Sequence, residues 1–439
     1  MSHPLPLRSG RLLAALALVL AACQDEAPTS IDADRLPPEP LTLSIQLPWS
    51  EFGSDLVVYG GYGEHGTLGE AIVARGYAAD DLDANVLIGF GAYPANVSVR
   101  DAQGTLVQDS NISFYGGYFV AFLDTLASTN TGPVSLALGA VQTPWHAPTA
   151  NWTFAFDTVA DQRPWPEPGG GPVTPLATRD WDPAMGDSVQ FFLDSTQVAE
   201  WSDPANAANG ARIELLTAGE RLQLRGGALR LNTRSSINPD TALVLTAQAA
   251  SVTFLYDVDA APPADGMRVG GVPAWRTVLD VAVPSVLNGP PELCAAVTCP
   301  FTLAPRHVSH AGLRLRTRRP PEAFQPTDSV TIDVRPVLSR AALPKSPLGT
   351  SLIVQTQGQA IAAPLFGAQE GTPVDIPITN YVKALLSGPD PAGRPPPTTL
   401  GLLATPEPNS FYFAEFYGPG PNEPVLELIL TVSPPLELP

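Results

Sequence analysis

The sequence predicts an all-β protein: apolar residues alternate with period two, turn residues interrupt them regularly, and helical periodicity is nearly absent. Leu43, Ile45 and Leu47 alternate, as do Val97 and Val99, Val189, Phe191 and Leu193, Ile332 and Val334, and Leu426, Leu428, Leu430 and Val432. Gly, Pro, Asn and Asp separate these runs, and the chain carries 49 prolines and 37 glycines in 439 residues. Such alternation argues antiparallel sheets with one buried face. Without a βαβ rhythm, the expected architecture is a sandwich or jelly roll. The hydrophobic fraction of 44% is that of a folded protein long enough for two domains.

The chain begins with Arg8 and Arg11 ahead of an apolar run from Leu12 to Ala22, too short for a stable membrane-spanning helix, so residues 1–22 read as a cleaved export signal. The junction Leu20-Ala21-Ala22-Cys23 resembles a bacterial lipobox, which implies that Cys23 is lipidated and anchors the mature protein. Acyl chains contribute roughly 0.8 kcal/mol per buried methylene, and stable anchoring needs more than one. The residue after the cysteine, Gln24, does not signal retention at the inner membrane, so the expected location is the outer membrane, on its periplasmic or its outer face. Residues 23–40, acidic and proline-bearing, read as a lipidated cysteine and flexible tether.

The body divides into two expected tandem antiparallel sandwich or jelly-roll domains, 41–258 and 259–435, each with one short helix. In the first, a strand ending at Leu193 leads into Ser195 to Trp201, where Ser195 or Thr196 can cap and Val198 and Trp201 share a face. In the second, Thr379 can cap a helix running to Gly388, with Val382, Leu385 and Leu386 as its apolar stripe. Each device precedes a loop and a Gly-led apolar strand, at 210–216 and 400–404, which suggests related units. The cut falls near Val258 to Pro263.

Several segments resemble the bacterial DNRLRE-type surface domain. They are Asn151 to Asp157, Trp165-Pro166-Glu167-Pro168-Gly169-Gly170, Gly186 to Phe191, Val198 to Trp201, and Gly210. A looser likeness continues through Arg268 to Gly271, Trp275 to Val281, Ala311 to Leu315 and Thr379 to Gly388. The matches touch most of residues 85–435 and are specific over about 150–216; the eponymous motif is absent, and the second half lacks the Trp-x-x-Pro-Gly-Gly loop. The resemblance implies a carbohydrate-binding-like β-sandwich on an exported surface protein.

Among candidate site residues, Tyr59, Tyr62, Tyr115 and Tyr118 stand beside glycines and could stack on sugar rings, whose axial C–H faces match an aromatic surface. They could equally pack at strand turns. Trp152, Trp165, Trp181 and Trp201 read as core and loop-pinning residues. Asp180, Asp182 and Asp187 have the hard oxygens of a calcium site without a complete calcium loop. No other cofactor is expected. His307 and His310 lack a third metal ligand nearby in sequence. Cys294 and Cys299, in an exported chain, read as a loop-closing disulfide, with half of a metal site as the alternative.

Net charge is −19, and about −21 once residues 1–22 are removed, so nucleic acid is not an expected partner. No Gly-x-Ser-x-Gly elbow appears, and no carboxylate pair is singled out. The expectation is a non-catalytic binding or structural lipoprotein, with polysaccharide as first ligand class, a cell-surface protein as second, and lyase or hydrolase activity behind both.

Overall fold

The strands follow from that alternation, and their order was obtained from a computed structural model of the chain. It describes residues 40–433 apart from 61–70, 79–80, 159, 258–264, 272–273, 290, 354–357, 406 and 408–411. The signal segment, Cys23, all but the end of the tether, Tyr62 and the boundary at 258–259 therefore lie outside the described residues. Among the described residues, no helix is long and apolar enough to cross a membrane.

The described chain opens with β1 (Leu41–Pro48), a one-turn helix α1 (Trp49–Phe52) and β2 (Gly53–Tyr59). Then come β3 (Ala71–Tyr77), β4 (Leu82–Phe90), the hairpin β5 (Val97–Arg100) and β6 (Leu106–Asp109), β7 (Ile112–Asp124) and β8 (Val134–Val141). After β9 (Phe154–Asp157) and β10 (Gln162–Pro164) follow β11 (Val173–Trp181), β12 (Ser188–Leu193), helices α2 (Ser195–Glu200) and α3 (Pro204–Asn209), β13 (Ala211–Leu215), β14 (Glu220–Ser235) and β15 (Leu243–Tyr256). The later part holds β16 (Gly266–Gly270), β17 (Arg276–Val281), β18 (Val286–Leu287), α4 (Pro291–Ala296), β19 (Phe301–Thr302), β20 (Val308–Arg318), β21 (Val330–Pro336), β22 (Gln359–Ile361), β23 (Pro373–Pro377), α5 (Thr379–Ser387), β24 (Thr399–Ala404), β25 (Phe413–Tyr417) and β26 (Val425–Val432).

Nine strands form one antiparallel sheet in the order β11-β8-β13-β4-β15-β14-β7-β12, with β3 pairing β14 and β4. It curls until its edges approach, where Arg179 of β11 donates to the Gln190 carbonyl of β12 at 3.3 Å. Its concave side encloses an aromatic core. Phe90 lies 5.0 Å from Trp201 and 5.9 Å from Phe119, and Phe119 lies 6.3 Å from Phe191. Each such ring contributes roughly 1.5–3 kcal/mol by leaving water. Trp275, Phe324 and Phe413 from the later chain join this core.

A second core fills a β-sandwich. One sheet has six strands, β1-β26-β20-β25-β16 with β23 on β20; the facing one has five, β2-β17-β24-β21-β22. Leu313, Leu426 and Leu428 meet Leu279, Ile332 and Leu400 between them, all fully buried. Sequence places 41–59 with the first unit, yet β1 pairs β26 and β2 pairs β17. Alternation identifies a half-buried strand but leaves its distant partner unspecified.

The helices at 195–200 and 379–387 form as expected, alongside other short ones. Their ends differ from expectation. Asp194, not Ser195 or Thr196, caps α2, accepting from the Gln197 N–H at 2.8 Å. The Thr379 hydroxyl accepts from the Ala311 N–H at 2.9 Å, pinning α5 to β20 instead of capping it. Gly210 closes α3 at φ +64°, where a Cβ would come 1.9 Å from the Ile88 carbonyl oxygen. Cys294 and Cys299 are disulfide-bonded.

Asp109, at the end of β6, ties the β5–β6 hairpin to β14. Its carboxylate accepts from the Ser235 hydroxyl at 2.5 Å and the Ser236 N–H at 2.7 Å. These bonds, led by Ser235, hold its pKa down at about 2. A depressed carboxylate stabilises the fold above its unfolded pKa, ordinarily near 3.9, and loses that contribution as pH falls towards the folded value. Asp109→Asn is therefore expected to lower the urea midpoint at pH 6, and the gap from wild type should narrow as pH falls below about 4; a gap independent of pH would contradict this.

Candidate functional site: an aromatic and arginine face on the curled sheet

Among the described residues, the outward face of the nine-stranded sheet is covered over one part. Segment 145–171 lies across β4, β8, β13 and β15, with Trp165 packed on Leu87, Val141 and Leu255. The loop is bonded down: Asn85 Nδ2 donates to the Gly169 carbonyl at 2.8 Å, Arg212 to the Gly171 carbonyl at 2.8 Å, and Trp165 Nε1 to the Asn151 carbonyl at 2.8 Å. Gly170, at φ +106°, sits against Arg212 and Leu87 where a side chain would crowd. Trp181 Nε1 donates to the Gly186 carbonyl, and Trp201 is in the core. All four expected structural tryptophans therefore pin loops or fill the core, Trp152 by packing over Gly169.

Over β12, β7 and β14 no described segment covers the outward face. Register aligns Phe192 with Tyr118, Tyr118 with Arg230, and Arg230 with Thr246. Phe192 is 62% exposed and its ring lies 6.2 Å from that of Tyr118. The Arg179 guanidinium sits 5.4 Å over Phe192, and Arg230 bonds the Thr246 hydroxyl at 2.5 Å. A register shift beside Asn232 and Thr233 leaves Tyr115 as the extra residue of β7. Phe114 then packs on the core while Tyr115, 41% exposed, turns outward beneath Arg234 at 4.6 Å. A bulge re-aims a side chain in this way. Phe122 extends the face along β7.

The four expected tyrosines are thus not one platform. Tyr115 and Tyr118 share this face; Tyr59 ends β2 in a different sheet, and Tyr62 is outside the described residues. Tyr59 lines a groove of about 500 Å³ with Val57, Val278 and Leu343, where Arg340 bridges Asp55 at 2.7 Å and Asp280 at 2.5 Å. Phe192, Arg179, Arg230 and Arg234 were missed from sequence. Phe192 left a signal, an apolar residue in the outward phase of Val189, Phe191 and Leu193.

A second cleft, also of about 500 Å³, is lined by Arg268, Arg318, Arg319 and Glu415. Burial pushes the Glu415 carboxyl above its usual range, although Arg268 and Arg318 each approach it to 3.3 Å.

Asp180, Asp182 and Asp187 do not converge. Asp182 uses its carboxylate to cap a 3₁₀ turn through the Ala184 N–H at 2.9 Å, and Asp180 and Asp187 are exposed. The imidazole of His307 accepts from the Ala304 N–H at 3.2 Å, and burial lowers its pKa. His310 faces the Thr379 hydroxyl. Among the described residues, no group of three or more His, Cys, Asp and Glu could hold a metal.

No protein-family model matches the chain, and no curated protein does. Solved structures give faint likenesses. The C-terminal domain of the Streptococcus agalactiae AgI/II polypeptide BspA aligns at 8% identity over 80% of this chain and 91% of that one, with TM-score 0.10. The C-terminal domain of the Streptococcus pyogenes antigen I/II-family protein AspA aligns at 9% over 81% and 91%, also with TM-score 0.10. These scores carry no argument about fold or role.

Neighbouring phenylalanines on β12 should respond oppositely to truncation. Phe191→Ala, inside, should cost about 3–5 kcal/mol in denaturant unfolding, and Phe192→Ala, outside, less than about 0.5 kcal/mol. Equal costs would refute the assigned faces.

Proposed function

We propose that the chain is an exported, non-catalytic lipoprotein, anchored through Cys23 at the outer membrane, whose tandem sandwich bodies hold polysaccharide on the bare face of β12, β7 and β14. The observation that carries this reading is the outward set of Tyr115, Tyr118 and Phe192 with guanidinium groups beside it. Folded proteins rarely leave several large rings together in water without a partner. A pyranose offers such rings its C–H face, and arginine and tyrosine supply hydrogen bonds to the hydroxyls around it. The DNRLRE-like segments agree with a carbohydrate-binding sandwich, and the charge of −19 disfavours nucleic acid.

The lipid anchor would leave the body tethered through residues 24–40, free to reach a polymer at the membrane surface. Calcium at the Asp180–Asp187 loop would require rearrangement of the Asp182 cap.

Affinity electrophoresis of the mature chain through a panel of polysaccharides tests the reading. Retardation is expected, and Tyr118→Ala should weaken it about tenfold, the equivalent of some 1.4 kcal/mol of lost ring contact. Product release from the panel would show turnover instead; capture of a cell-surface protein, with no retardation by any polysaccharide, would favour adhesion along exposed strand edges.

A further inference from the structure

Among the described residues, this acidic chain spends more than half of its cations on its own carboxylates. Arg212, Arg225, Arg268, Arg276, Arg314 and Arg340 each form an ion pair. Arg179, Arg230 and Arg234 do not: among the described residues their contacts are backbone carbonyls, the Thr246 hydroxyl and the rings of Phe192 and Tyr115. Arg230 and Arg234 stand on the bare face from β14, and the Arg179 guanidinium reaches it from β11 across the seam, over Phe192, with the rings of β7 and β12 between. Acids lie near without neutralising them. Asp124 is taken by Arg225 at 2.6 Å, Asp180 and Asp187 flank the β11–β12 turn, and Asp240 lies in the β14–β15 loop.

In a chain with 43 acidic against 24 basic side chains, three guanidinia with no carboxylate partner among the described residues stand together beside exposed rings. A guanidinium fork fits a carboxylate with two parallel N–H···O bonds, which a neutral hydroxyl cannot reciprocate. From this arrangement we infer that the face binds a carboxylate-bearing polysaccharide, a polymer of uronic acid residues. Tyr115, Tyr118 and Phe192 would stack on ring faces while Arg179, Arg230 and Arg234 take the carboxylates. The inference rests on the polysaccharide reading above and narrows it to one ligand class.

The test compares retention of the full mature chain in gels containing polygalacturonate, the same polymer fully methyl-esterified, or a neutral glucan, at low and high salt. Polygalacturonate should retain it most, and retention should weaken as sodium chloride screens the exposed charges. The triple variant R179Q/R230Q/R234Q, verified as folded by its circular dichroism and Tm, should bind polygalacturonate about tenfold more weakly, as expected for several exposed ion pairs lost together, and should lose distinctly less of its binding to the esterified polymer, where only hydrogen bonds to hydroxyls are removed. Equal retention by acidic and esterified polymers, insensitive to salt, would overturn the inference and leave the polysaccharide reading standing. Retention by none of the three would overturn the inference, and the polysaccharide reading falls with it when the wider panel also leaves the chain unretarded. Should the triple variant misfold, the salt and esterification series on the unmodified chain decides the question.

Discussion

Everything distinctive about this molecule depends on the register in which β12, β7 and β14 pair. Phe191, Phe119 and Leu229 align and turn inward, fully buried; Phe192, Tyr118 and Arg230, one residue on or back along each strand, turn outward. A one-residue slip of β14 would put Arg230 in an aromatic core, and a slip of β12 or β7 would turn Phe191 or Phe119 out to water. Burying an unpaired guanidinium there would cost far more than the ring contacts return. The core therefore selects the register, and the register presents the proposed binding face.

Two local devices refine that face. The extra residue of β7 turns Tyr115 to the same side as Tyr118, although residues three apart on a regular strand point oppositely. The 145–171 segment, bonded down through Asn85 and Arg212, covers the neighbouring strands and stops short of β12 and β7. Elsewhere the charge economy is internal. Arg276 and Glu407 pair at 2.6 Å with both side chains mostly buried, and Glu415 remains costly to ionise despite two arginines. In such buried pairs the desolvation of both charges offsets much of their attraction, so they add little net stability.

Much of the strand content was legible because alternation is local. Val189, Phe191 and Leu193, and Leu426 to Val432, report their buried side directly, and the helices after Leu193 and Ile378 announce themselves by a change of period. Partnership was not legible. Leu43, Ile45 and Leu47 mark a half-buried strand equally well in either body, and only closure over some 380 residues assigns them to β26. Nor does sequence show which outward residues a loop will cover. Leu87 and Leu255 face out of their sheet like Tyr118, yet lie buried under Trp165. The four tyrosines looked equivalent as neighbours of glycine. The bulge and the sheet assignment separated them; Arg230 and Arg234 joined the site through cross-strand register, and Arg179 by reaching across the seam between β11 and β12.

Hydroxyl-radical footprinting of the unmodified chain, read residue by residue by tandem mass spectrometry, tests the face assignment most directly because it needs no substitution. Tyr118 and Phe192 should oxidise rapidly while their sequence neighbours Phe119 and Phe191 stay protected until the protein unfolds. Oxidation of Phe119 or Phe191 at rates equal to or above those of Tyr118 and Phe192 would contradict the register on which the binding face rests.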